Sequence, residues 1–345
     1  MKKYFAMLVI AFAIFVMPLS GFAGDTEVMF DSKVASDTPS SLKIAPDGET
    51  AWASTAHAIL RFTGSKRDEF RGAAFAGKSC GSFKLLAFDA KGTLWISAVC
   101  YKDEFVSMLV TYDGSAWKIQ TRDIFPLPER VKGVELMAFD KNNVMWLVGG
   151  SGLHRYDGTE WKLFNRKNTP IPSTSLSALN IDKNGAVWIG TGMGHIAKFD
   201  GTRWDVFKPD TYDKFNTGLR SDAGVRSIKF DMNGVMYFTN YRGGAYRYAG
   251  GKFQMIECNY GGRGYFEDVA FDAQNVLWIA NNNDMGNGPE PGLLWQDGKK
   301  CRSFKLPHKT SNWLEVDAVG NKWIASSYDT GSITVFREGG VKLAQ

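Results

Sequence analysis

The sequence predicts an all-β protein, a seven-bladed β-propeller built from four-stranded antiparallel blades. Two observations carry this. An Asp followed six positions later by an aromatic residue recurs along the chain, as Asp89/Trp95, Asp140/Trp146, Asp182/Trp188, Asp231/Tyr237, Asp272/Trp278 and Asp317/Trp323, with a shortened copy in Asp47-Gly48 before Trp52. Each copy sits among short apolar runs separated by turn residues, which read as strands. Copies at a spacing of about 40 to 50 residues, each worth four strands, match the period of propeller blades.

The stretch from Leu136 to Phe164 shows the unit most fully. Leu136 to Asp140 reads as a first strand, Val144 to Gly149 as a second, Leu153 to Tyr156 as a third and Trp161 to Phe164 as a fourth. Between each anchor Asp and its aromatic stands Gly or Asn at a constant place: Gly92, Asn143, Gly185, Gly234, Asn275 and Gly320. These residue types best tolerate the positive φ of a tight hairpin. The Asp carboxylate can accept backbone N–H groups across the same turn, which gives it a structural role.

Taken in order, the chain opens with basic Met1-Lys2-Lys3, a mainly apolar run from Tyr4 to Pro18, and the small residues of Ser20-Gly21-Phe22-Ala23. This pattern predicts a secretory signal over residues 1–23, cleaved after Ala23, and an exported, periplasmic or secreted mature protein. The apolar run is short for a membrane span, and no later stretch is a better candidate. No Cys stands at the cleavage point, so no lipid anchor is expected. Residues 24–345 then read as one domain, because no blade can bury both its faces alone. Blades are expected at about 41–71, 83–120, 134–164, 176–207, 225–257, 266–306 and 313–345. Glu27 to Phe30 reads as an extra outer strand; either it or Val341 to Ala344 completes the last blade.

Hydrophobic residues make up 44% of the chain and aromatics 14%, enough for a large core. Four cysteines in an exported chain invite disulfides. Cys80 and Cys100 fall in loops at the same end of the second blade, so a bridge between them is geometrically reasonable. Cys258 and Cys301 fall at opposite strand ends and are not expected to pair. Their spacing does not suit zinc, and with four histidines in all a structural metal cluster is not expected.

The repeats resemble the bacterial regulator-propeller repeat, whose consensus runs D-x-x-G-x-L-W-I-G-T-x-x-G-L-x-R-Y-D-G-x-x-W. Asp182 to Thr191 (DKNGAVWIGT) and Gly152 to Trp161 (GLHRYDGTEW) carry the resemblance. That family includes periplasmic sensing regions of two-component regulators, and the streptogramin lyases are similar propellers. The resemblance implies a scaffold, since activity does not travel with a repeat.

Function in such a ring is expected where loops gather at one end of the channel. Five positions before the anchor Asp stand Lys84, Glu135, Ser177, Arg226, Glu267 and Asn312, with Ser41 as the equivalent in the first blade and Asp268 beside Glu267. Every one is polar, and such a mouth suits a polar or zwitterionic ligand. His57 and His195 fall in loops at the same end, whereas His154 lies within a third strand and His308 in a joining loop. The segments joining blades carry net positive charge and the rest of the mature chain net negative charge. This predicts a basic loop face, which also carries Phe125, Tyr212, Phe215, Tyr260 and Tyr265, opposite an acidic turn face. Two functions follow. One is a recognition or sensor-like propeller, monomeric, binding a polar small molecule, a glycan or a protein partner through Lys84, Glu135, Arg226, Glu267, Asp268 and Asn312; nucleic acid would need a stronger basic excess. The other, implied by the lyase resemblance, is elimination with His57 or His195 as base and a divalent metal held by Glu135, Glu267 or Asp268.

Overall fold

The protein is described by a computed structural model over residues 26–31, 37–71, 79–101, 105–120, 133–208, 224–240, 244–256, 265–282, 292–297, 300–307, 310–327 and 331–343. The expected signal segment lies outside these residues. Among these residues, twenty-eight strands form seven four-stranded antiparallel sheets.

Strand β1 (Thr26–Asp31) precedes the first blade, which is β2 (Ser41–Ile44), β3 (Ala51–Ser54), β4 (Ala58–Thr63) and β5 (Lys66–Arg71). The second is β6 (Ser79–Phe88), β7 (Leu94–Tyr101), β8 (Phe105–Tyr112) and β9 (Trp117–Gln120). The third is β10 (Val134–Phe139), β11 (Met145–Gly149), β12 (Gly152–Tyr156) and β13 (Trp161–Phe164). The fourth is β14 (Leu176–Ile181), β15 (Val187–Thr191), β16 (Ile196–Phe199) and β17 (Trp204–Phe207). The fifth is β18 (Val225–Phe230), β19 (Met236–Asn240), β20 (Gly244–Ala249) and β21 (Lys252–Met255). The sixth is β22 (Phe266–Phe271), β23 (Leu277–Asn281), β24 (Gly292–Asp297) and β25 (Lys300–Lys305). The last has β26 (Trp313–Val316), β27 (Lys322–Ser326) and β28 (Ser332–Phe336). Its fourth strand is β1, antiparallel to β28 from Thr26↔Phe336 to Asp31↔Ser332. The two ends of the chain therefore share one blade, and the N-terminal strand closes it.

Inner strands neighbour one another around the ring, β2 with β6, β6 with β10, and so on to β26, which returns to β2. The core lies between blades. Trp52 of the first blade packs among Phe83, Leu94, Ile96 and Val110 of the second, and Trp146 of the third among Val187, Ile189 and Phe199 of the fourth. Leu42, Leu60 and Phe62 meet Trp323 and Ile333 across the closing junction. Each fully buried large side chain contributes about 1.5–3 kcal/mol, so a blade without neighbours would lose most of its stabilisation.

The anchor Asp explains why each inner hairpin forms. Asp182 Oδ1 accepts the backbone N–H groups of Asn184 and Ala186, both at 2.9 Å, around Gly185 with φ of 87°. Its Oδ2 accepts the indole N–H of Trp188 at 3.0 Å. The indole bond recurs in Asp89/Trp95 (3.2 Å), Asp272/Trp278 (2.8 Å) and Asp317/Trp323 (3.0 Å). One carboxylate thus caps the turn and fixes the core aromatic, which is the physical content of the six-residue spacing. In the third blade, Asp140 keeps the backbone bonds while the buried Trp146 indole nitrogen has no hydrogen-bond partner. Asn143 and Asn275, at φ of 59° and 62°, add something glycine cannot. Their side-chain carbonyls accept Ala90 N–H (3.0 Å) and Met232 N–H (2.9 Å), tying each turn to that of the preceding blade.

Cys80 and Cys100 are direct cross-strand partners on β6 and β7 and form a disulfide. Cys301 is disulfide-bonded as well. Cys258, which is not expected to pair with it, lies outside the described residues. No helix among the described residues is long and apolar enough to cross a membrane.

Candidate functional site

The seven inner strands line a cavity of about 750 Å3. Ser41, Lys84, Glu135, Ser177, Arg226, Glu267, Asp268 and Asn312 all contribute to its wall. A shared local feature presents several of them. The β10–β11 ladder passes from Val134↔Gly149 to Leu136↔Val148 and skips Glu135. The same bulge skips Ser177 in β14, Arg226 in β18 and Glu267 in β22. A bulged residue leaves the ladder and turns its side chain out of the pleat, a common device at the rims of closed sheets. The register in β6 also shifts, between Gly81 and Lys84.

The side chains do not all remain available. Ser41 Oγ accepts Leu85 N–H at 2.8 Å, and Ser177 Oγ donates to the Val225 carbonyl at 2.7 Å. Asn312 Oδ1 accepts both the backbone N–H and the hydroxyl of Ser327, each at 2.9 Å. The first two bonds knit neighbouring inner strands together, and Asn312 ties the residue before β26 to the residue after β27. Arg226 and Glu267 form an ion pair at 3.4 Å between the fifth and sixth blades. Burial pushes the Glu267 carboxyl above its ordinary range, Arg226 opposes the shift, and Asp268 adds to it.

Beyond this ring lies a charged cluster that the spacing of the polar mouth residues does not reveal. Lys229 reaches past the sixth blade to Glu315 at 3.0 Å, and Lys43 approaches the same carboxylate at 3.9 Å. Asp268 is buried, accepting Ser227 Oγ–H at 2.5 Å, its neighbour Val269 N–H at 2.9 Å and Leu314 N–H at 3.1 Å. Burial raises the Asp268 carboxyl despite Lys229. Burial works the same way on Glu315, but Lys229 and Lys43 together overcome it and hold that carboxyl low. Lys229 is held protonated against its burial by Asp268 and Glu315, whereas burial dominates at Lys43 and lowers it. A sequence signal for this cluster does exist. Lys43, Lys229 and Glu315 are the cross-strand partners of the anchor aromatics Trp52, Tyr237 and Trp323, a position held elsewhere by Ala87, Ala138, Asn180 and Ala270.

Among the described residues, the charged groups of the cavity wall are Lys43, Lys84, Arg226 and Lys229 against Glu135, Glu267, Asp268 and Glu315, which cancel in sum. His57 is exposed, His195 is half-buried, and neither lines the cavity. His154 is a packed core histidine: its Nε2 meets Ser151 Oγ at 2.8 Å, and burial lowers its pKa to about 4. His308, Phe125, Tyr212, Phe215 and Tyr260 lie outside the described residues. Among the described residues, no group of three or more His, Cys, Asp or Glu is placed to hold a metal ion.

No protein-family model matches the sequence, and no curated protein matches it. The fold is that of known propellers. It matches the extracellular domain of a hybrid two-component system from B. thetaiotaomicron with a TM-score of 0.66 at 15% identity, over 93% of this chain and 42% of that one. A second extracellular domain from the same organism, described as part of a one-component system, matches with a TM-score of 0.67 at 13% identity, over 91% of this chain and 40% of that one. The chain thus spans about two fifths of the length of these two neighbours. It also matches a catalytically inactive virginiamycin B lyase from Staphylococcus aureus, TM-score 0.63 at 14% identity, covering 90% of this chain and 98% of the lyase. At such identities the likeness establishes the fold. The Cys80–Cys100 disulfide fits an exported protein.

Proposed function

We propose that this chain is an exported, sensor-like recognition propeller, acting as a monomer, that binds a polar ligand in the mouth of its channel. The single observation that carries the reading is the convergence of eight charged side chains, four of each sign, on one cavity of about 750 Å3. Such a volume suits a small molecule or the end of a glycan or peptide. Buried and half-buried charges are costly to assemble without a purpose, since water must be stripped from each of them. The two neighbouring extracellular regulator domains are in keeping with a binding role rather than evidence for one. His57 and His195 line no part of the cavity, so no specific observation favours elimination chemistry.

The test is a thermal-shift screen of the mature protein against polar metabolites, oligosaccharides and divalent metals, with and without chelator. A ligand present at a hundred times its Kd stabilises the folded state by about 2.7 kcal/mol. The ligand found should bind at least about tenfold more weakly to Lys84→Ala or to Arg226→Ala, because each removes a charge-assisted contact available at the cavity wall. Undiminished affinity in both variants would remove the site from the channel mouth.

A further inference from the structure

The eight charges of the cavity wall are not equivalent. Lys43, Lys229 and Glu315 are joined by ion pairs, Asp268 is satisfied by three hydrogen bonds, and Arg226 pairs with Glu267. That leaves Lys84 on β6 and Glu135 on β10. They stand on adjacent blades and feel each other electrostatically, for Glu135 supports the protonated form of Lys84 against burial and against Lys43. Yet neither makes an ion pair or a side-chain hydrogen bond among the described residues. A half-buried ammonium beside a bulged carboxylate, close enough to interact and not joined, is a gap of opposite polarity at its two ends. Leu85, Leu86, Leu136 and Met137 line the same wall beside them.

We infer that the ligand of this cavity is a small zwitterion with an apolar side chain, of the α-amino acid class, its carboxylate on Lys84 and its ammonium on Glu135. The inference rests on the recognition reading above and specifies its ligand. A zwitterion inserted between the two residues completes both charges without adding net charge to the described wall, and its hydrocarbon part meets the partly exposed Leu136. A simple anion would satisfy Lys84 and repel Glu135, and a simple cation would do the reverse.

The experiment is calorimetric titration of the mature protein with leucine, leucinamide (ammonium only), 4-methylpentanoate (carboxylate only) and a neutral disaccharide. Wild type should bind leucine at least about tenfold more tightly than either singly charged analogue, each lacking one charge-assisted contact. In Lys84→Ala the preference for leucine over leucinamide should collapse, while that over 4-methylpentanoate remains. In Glu135→Gln the pattern should reverse. Equal binding of a singly charged analogue to wild type, or leucine affinity unchanged in both variants, overturns the inference. Binding of the disaccharide alone, lost in Arg226→Ala, overturns it as well while leaving the channel-mouth reading standing. No binding by any of the four also overturns it, and the broader screen then decides the recognition reading separately.

Discussion

Asp272 shows how much one side chain carries in this molecule. Its carboxylate accepts Gln274 N–H (3.1 Å), Val276 N–H (3.0 Å) and the buried Trp278 indole (2.8 Å). Asp272→Ala should cost about 2–4 kcal/mol, since a charged acceptor is removed and a buried donor left unpaired. Asp140→Ala should cost roughly 1 kcal/mol less, because no indole bond exists there to lose. Chemical denaturation of the two variants checks the order, and equal losses would contradict it. His154 gives a pH signature. Its folded pKa of about 4 lies below the ordinary 6.5, so the unfolded chain binds the extra proton first. Stability present above pH 6.5 is therefore lost as pH falls towards 4, by about 3 kcal/mol at the limit, at about 1.4 kcal/mol per pKa unit. His154→Leu should flatten that part of a stability–pH curve; an unchanged slope between pH 6.5 and 4 would contradict the buried neutral imidazole. The turn chemistry was legible in the sequence because it is local: the Asp, the Gly or Asn and the aromatic all fall within seven residues. What stayed hidden was the second job of the Asp, the indole bond, since spacing shows that two residues are near and not which atoms meet.

At the scale of the element, the inner strands β6, β10, β14, β18 and β22 shift register ahead of the cross-strand aromatic pair and the capped turn, whereas β2 and β26 pair in plain register. The bulge explains why polarity five positions before the anchor was a sound guide to the channel wall. Glu135, Ser177, Arg226 and Glu267 are skipped by the ladder and freed from it. The inner cluster was missed because its position is occupied by charge in only three blades and by Ala or Asn in the others, so repeat averaging erases it. Close approach of neighbouring blades depends on small residues. A Cβ at Gly190 in β15 would stand 2.5 Å from Val225 Cβ of the next blade. Gly190→Ala should therefore destabilise by about 1–3 kcal/mol through overpacking, although its backbone is that of an ordinary strand. A thermal melt of this variant that matched wild type would show that the junction between the fourth and fifth blades is looser than described.

Across the whole molecule, the ring is closed by joining β1 to the C-terminal blade, so folding must bring the first and last described strands together. Sequence alone left two candidates for that strand, because each was a short segment with no anchor motif to fix its register. The disulfides divide in the same way. Cys80–Cys100 follows from direct cross-strand pairing, which repeat register makes visible, whereas strand register singles out no partner for Cys301, whose cross-strand neighbour is Gln296. Of the aromatic residues expected on the basic loop face, Tyr265 alone falls within the described residues. The channel is the feature common to all seven blades, and it holds the charges that the proposed recognition requires. A crystal structure of the protein with the ligand found by screening tests this most directly. The account predicts ligand density in the channel mouth, its carboxylate at Lys84 and its ammonium at Glu135. Density confined to the Asp-capped turns or the outer strands, with the channel filled only by solvent, would contradict it.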